Sequence, residues 1–86
     1  MKRYNKLFEQ TFAEPSPEDY AIEDLPMKGY NVGQIEGDHL GEFSTVEEAL
    51  AAIRDKMTRE KYWPNIWFVS DHGNASLIDQ EGNIIE

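Results

Sequence analysis

The clearest pattern in the chain lies in its middle. Val46, Ala49, Leu50, Ile53 and Met57 recur at three- and four-residue spacing, so they fall on one stripe of a helix. Ser44-Thr45-Val46-Glu47 reads as a capping box, with the Ser44 hydroxyl as cap and Glu47 reaching back. The spacing predicts a helix over 45–60. Glu47 and Glu48 sit at its positive end and Lys56, Arg59 and Lys61 at its negative end, as the helix dipole favours.

The pattern on either side changes to strands and turns. Tyr30, Val32 and Ile35 suit a strand over 30–36, Gly37-Asp38-His39-Leu40-Gly41 a turn, and Glu42-Phe43 a short returning strand. Beyond the helix, Trp63-Pro64 breaks the chain. Ile66-Trp67-Phe68-Val69 is apolar at both parities, the signature of a strand covered on both faces. Asp71-His72-Gly73-Asn74 is a turn, 75–79 a strand, 80–83 a turn, and Ile84-Ile85 an edge strand.

The first 28 residues are harder to place. Tyr4, Phe8 and Phe12, with Leu7, suit one helical face; the same three also fall on one face of a strand, and a helix is the expectation. Ser16-Pro17-Glu18-Asp19 has the chemistry of a helix start: a capping serine, proline at the first position, then two acids. Pro26 would end such a helix near Asp24; an ordered loop is the alternative. The expected fold is α+β: one small domain in which an antiparallel meander packs on one main helix, in a ββαβββ-like order. Residues 29–86 form its core, and residues 1–28 are a partly helical segment that packs on it or extends it.

Composition narrows the classes of function. At 86 residues the chain is one domain, and a deep substrate cavity would compete with its small core. It has no cysteine, which excludes a disulfide scaffold, a zinc ribbon and thiol catalysis. No apolar run has signal-peptide or membrane-span length, so the expectation is a cytoplasmic protein with no membrane contact.

The net charge of −9 is unevenly spread. Residues 7–53 hold 11 acids and a single base, Lys28. A sequence pI near 4.5 argues against direct nucleic-acid binding, because the phosphate backbone would repel this surface. It suits a basic protein partner. The acids that local structure leaves unexplained are mostly those from Glu14 to Asp24, with Glu36 and Glu42.

Candidate chemistry is sparse. Asp38-His39 and Asp71-His72 supply four potential metal ligands or two acid–base pairs, although turn geometry alone accounts for both. Ser44 is explained as a cap, and Ser70 lies before Asp71-His72, but a triad is assembled by spatial geometry and not by sequence adjacency. The glycines at 29, 33, 37 and 41 match no phosphate-cradling loop. Tyr62, Trp63, Trp67 and Phe68 form the densest aromatic cluster, expected mainly in the core, with Trp63 or Trp67 available as an interface anchor.

The leading expectation is therefore a non-catalytic interaction module without a cofactor. It would bind a basic protein through Glu18, Asp19, Glu23, Asp24, Glu36, Asp38, Glu42, Trp63 and Trp67. Its most concrete form is an inhibitor that competes with nucleic acid for the basic surface of an enzyme. The alternatives are a small metal-binding or hydrolytic protein using Asp38, His39, Asp71 and His72, and an accessory domain that dimerises through Ile84-Ile85. The module itself would be a monomer or such an edge-strand homodimer.

Overall fold

A computed structural model describes residues 15–85. The helical reading of Tyr4, Phe8 and Phe12 lies outside these residues. The described chain forms β1 (Tyr20–Leu25), β2 (Gly29–Gln34), β3 (His39–Phe43), α1 (Val46–Glu60), β4 (Ile66–Val69) and β5 (Ala75–Ile78). The strands make one sheet in the order β3-β2-β1-β4-β5. The class is α+β, with a single helix among the described residues.

The sheet is mixed. β1 pairs antiparallel with β2 and parallel with β4, whereas β2–β3 and β4–β5 are antiparallel hairpins. This corrects the expectation of an antiparallel meander, and the described order is βββαββ rather than ββαβββ-like. It also corrects the short helix expected after Ser16: Tyr20–Leu25 is the central strand. The signals that resemble a helix start instead build a tight turn, in which the Asp19 N–H donates to Ser16 O and the Ser16 N–H to Asp19 Oδ2. Two strands, β2 and β4, pair with the segment that follows, one on each edge. Long-range pairing on both sides outweighs a two-turn helix with little to bury.

Alternation along the strands divides the core into two sheets of side chains. Tyr20, Ile22, Val32, Ile66 and Ile78 face α1 and pack with Ala49, Leu50, Ile53 and Met57. Ala21, Trp67 and Val69 point to the other face, where Ile35, Ala75 and Leu77 join them. The two-sided apolar reading of 66–69 therefore corresponds to an interior strand.

The helix begins one residue later than its box suggests. Thr45 is the N-cap: its hydroxyl accepts from the Glu48 N–H at 3.1 Å, and the Glu48 carboxylate accepts from the Ser44 N–H at 3.1 Å. Lys61 ends the helix in a left-handed conformation, with its N–H on Met57 O. Residues 84–85 make only an isolated bridge, Ile78 to Ile84, and one further hydrogen bond from the Ile85 N–H to Leu77 O.

Candidate functional site

The strand registers sort the acids by position. Tyr20 pairs with Gln34 and Ile66, so the β2–β3 turn and the start of β4 lie at the end of the sheet where β1 begins. Glu23 pairs with Asn31 and Val69, so the β1–β2 tip and the β4–β5 turn lie at the far end. α1 runs from the far end to the near end, because it follows β3 and precedes β4.

Glu18, Asp19, Glu36 and Asp38 are thus gathered at the near end. Asp24 and Glu42 lie at the far end, and Glu23 is buried within the second face. The seven acids expected to form one docking face do not share one.

Asp19 belongs to the interior. It is 3% exposed, and its carboxylate accepts from the Ser16 N–H at 3.0 Å, the Asn65 N–H at 3.2 Å and the Trp67 indole N–H at 3.0 Å. Its carbonyl accepts from the Ile35 N–H at 2.8 Å. One residue ties together the turn before β1, the loop before β4, β4 itself and the β2–β3 turn. Trp67 is wholly buried. Asp19, Glu23 and Trp67 are buried and therefore offer a partner almost no accessible surface, which corrects their place in the expected docking set.

What remains outside at the near end is an acidic and aromatic surface. The Glu18 carboxylate accepts from the Tyr62 hydroxyl at 2.8 Å, and the Glu18 carbonyl accepts from Gln34 Nε2 at 3.0 Å. Glu36 is held by its N–H on Pro17 O at 2.8 Å. Lys56 Nζ sits between Asp38 Oδ2 at 2.9 Å and Glu60 Oε2 at 2.6 Å. Arg59, the next cation along the helix, is occupied by Asp55 at 3.0 Å. Tyr62 and Trp63 stand half in solvent, 50% and 56% exposed, in the loop after α1. Of the two tryptophans proposed as anchors, the structure exposes only Trp63.

Lys56, Glu60 and Tyr62 are not in the docking set expected from sequence. Lys56 and Glu60 are spaced i,i+4, and that pairing was the available signal. No spacing rule connects Glu18 to Tyr62, which are 44 residues apart.

The titration behaviour of this corner follows from its contacts. Hydrogen bonds to Glu60 and then to Asp38 hold the Lys56 ammonium above the ordinary lysine range. The hydrogen bond to Glu18 raises the Tyr62 phenol, because ionisation would bring two anions together. Burial raises the Tyr20 phenol, with the Lys56 charge acting in the opposite direction.

The two Asp-His pairs do not meet. Asp38-His39 borders the near-end turn, and Asp71-His72 is in the far-end turn. Asp38 is engaged by Lys56, and His39 Nε2 is hydrogen-bonded to Asn31 Oδ1. The His72 ring lies 3.7 Å from the Asp71 carboxylate beside it, a local contact on an exposed turn. Among the described residues, no group of three or more His, Asp or Glu side chains is placed to hold a metal ion.

A depression of about 210 Å³ opens beside Asn31, Gly33, Ile35, Gly37 and His39. It is smaller than the sites that usually enclose a drug-sized ligand. His39 is the one titratable side chain of its described lining, with no nucleophile or second acid–base group beside it. Among the described residues no helix is long and apolar enough to cross a membrane. Comparison with protein-family models, with curated proteins and with solved structures gave no match.

Proposed function

We propose that this protein is a non-catalytic interaction module that binds a basic protein surface through the near end of its sheet. The observation that carries this reading is the pairing of chemistries there. Glu18 accepts from the half-exposed Tyr62 beside the half-exposed Trp63, and Glu36, Asp38 and Glu60 lie at the same end of the sheet, the last two on Lys56. Partly exposed aromatics supply anchoring area, and the carboxylates at the same end steer a cationic partner and select against an anionic one. The net charge of −9 adds long-range attraction for the same partner. In its most concrete form the module is an inhibitor that occupies the basic groove of a nucleic-acid-binding enzyme.

The test is binding to a panel of purified nucleic-acid-binding proteins with basic grooves. Affinity for the cognate member is expected to fall roughly tenfold or more between about 0.05 and 0.3 M salt. Duplex DNA should compete with it. Trp63→Ala, an exposed change, should weaken binding by about tenfold while leaving the fold intact. Salt-independent binding, or no binding across the panel, would overturn the reading.

One observation favours a second reading. Ile84 and Ile85 are 73% and 60% exposed beside β5, so an edge-to-edge homodimer has apolar side chains to bury. Sedimentation over a range of concentrations tests it, and a monomer throughout would remove it.

A further inference from the structure

Met27 stands at the tip of the β1–β2 hairpin with its side chain wholly in solvent. The turn runs Leu25-Pro26-Met27-Lys28 and is closed by the Lys28 N–H on Leu25 O at 2.9 Å. Met27 has a φ of 63°. Proline at the second position and a positive φ at the third are the features of a type II turn, whose third position ordinarily takes glycine or asparagine. A methionine there carries the steric strain of a left-handed backbone, and no packing of its side chain offsets that strain. Turn geometry and core packing both fail to account for the thioether, so its own chemistry is the remaining property of the site.

We propose that Met27 is a reversible oxidation site, taking an oxygen atom from a hydroperoxide. The Sδ lone pair attacks one peroxide oxygen, the S–O bond forms and the O–O bond breaks. The displaced oxygen leaves as water, or as an alcohol from an alkyl hydroperoxide, carrying the proton of the transferred oxygen. Sulfur is oxidised by two electrons and the peroxide is reduced by two. Reversal by a methionine sulfoxide reductase uses two thiols, which become a disulfide as the oxygen departs as water.

The other methionine of the described residues supplies the internal contrast. Met57 is wholly buried under the sheet, within the main core, so its thioether is shielded from solvent in the folded protein. Oxidation at Met57 would place a polar sulfoxide among apolar side chains and disrupt the core. At Met27 the same change falls on a solvated tip at the far end from Glu18 and Trp63, so the fold keeps its packing.

The experiment is peroxide treatment of the native full-length chain, with peptide mapping by mass spectrometry. Sulfoxide at Met27 is expected to form at least about tenfold faster than at Met57, with an unchanged circular dichroism spectrum. Adding both epimer-specific methionine sulfoxide reductases with dithiothreitol should restore the thioether in the folded protein. Met27→Leu should abolish that sulfoxide and leave the slow rate at Met57 unaltered. Equal rates at Met27 and Met57, loss of the fold in step with Met27 oxidation, or a native sulfoxide that the reductases leave in place would each overturn the proposal.

Discussion

The two ends of the sheet are built by different means. At the near end, side chains far apart in sequence are tied together: Asp19 to Asn65 and Trp67, Lys56 to Asp38, and Glu18 to Tyr62. At the far end, the turns close mainly on themselves. Lys28 bonds to Leu25, and in the β4–β5 turn Gly73 and Asn74 bond back to Ser70. Aspartate shows the contrast most plainly. Asp19 is a buried junction between four segments, while Asp71 is a solvated turn residue whose near contact is its own neighbour. The lesson is that acidic composition does not convert into acidic surface. Part of the charge at the near end is structural, and only the rest is available to a partner.

The largest test of this contrast is Asp19→Ala. It removes the acceptor of three N–H groups, one of them the buried Trp67 indole, and should cost about 3–5 kcal/mol in urea denaturation. Asp19→Asn keeps one carbonyl acceptor and should cost about half as much. A loss below about 1 kcal/mol for the alanine variant would mean that the near end is not held through this residue.

Gly29→Ala probes a far-end position with a long-range constraint. Its φ is +94°, and a Cβ would come 2.4 Å from the Phe43 carbonyl oxygen. A loss of about 2–3 kcal/mol is expected, from backbone strain and a shift of β3 together. Thr45→Ala should cost about 1 kcal/mol, because it frees only the Glu48 N–H at a solvated helix start. Met27→Gly is the smallest change and of opposite sign. Relief of the left-handed strain should slightly outweigh the extra freedom of the unfolded chain, for a gain of about 0.5 kcal/mol.

The pH dependence of stability should separate the long-range contacts of the near end from the locally closed turn at 79–83, which lies at the same end after β5. Lys56, Tyr62 and Tyr20 all lie at the near end, and all hold their protons more tightly folded than unfolded. Their contribution is complete below the unfolded values and is lost as pH rises through the folded ones. Stability should therefore decline above about pH 10, and Lys56→Met should reduce the slope of that decline. Asp79 has the opposite sign. Hydrogen bonds from Asn83 and the neighbouring backbone hold its carboxyl below the ordinary range, so its contribution is present at neutral pH and lost on acidification. Chemical denaturation across pH, on the parent and on Asp79→Ala, measures both limbs.

The elements that could be read from sequence were those whose evidence is local. The stripe Val46, Ala49, Leu50, Ile53, Met57 carries its own period, and Ile66–Val69 carries its own two-sided burial. Both hairpins beyond residue 29 announce themselves by Gly, Asn and Asp turns, although β3 begins at His39, inside the expected turn. The central strand was not legible. Tyr20–Leu25 has too few apolar residues to declare a period, and the prolines and acids around it imitate a helix boundary. Of the candidate site, Glu18, Glu36, Asp38 and Trp63 were legible as charge and exposed aromatic potential. The burial of Asp19, Glu23 and Trp67 was not, because nothing local tells a solvated carboxylate from one that receives three N–H groups across the fold.

Sequence alone was sufficient for the helix, the interior character of 66–69, the absence of thiol chemistry and the excess of negative charge, since periodicity and composition are properties of the chain. Strand order, the parallel β1–β4 pair and the division of the acids between inside and outside were set by the folded molecule. Each depends on which segments meet across tens of residues: β1 becomes a strand because β2 and β4 flank it, and Asp19 becomes a junction because four segments end there.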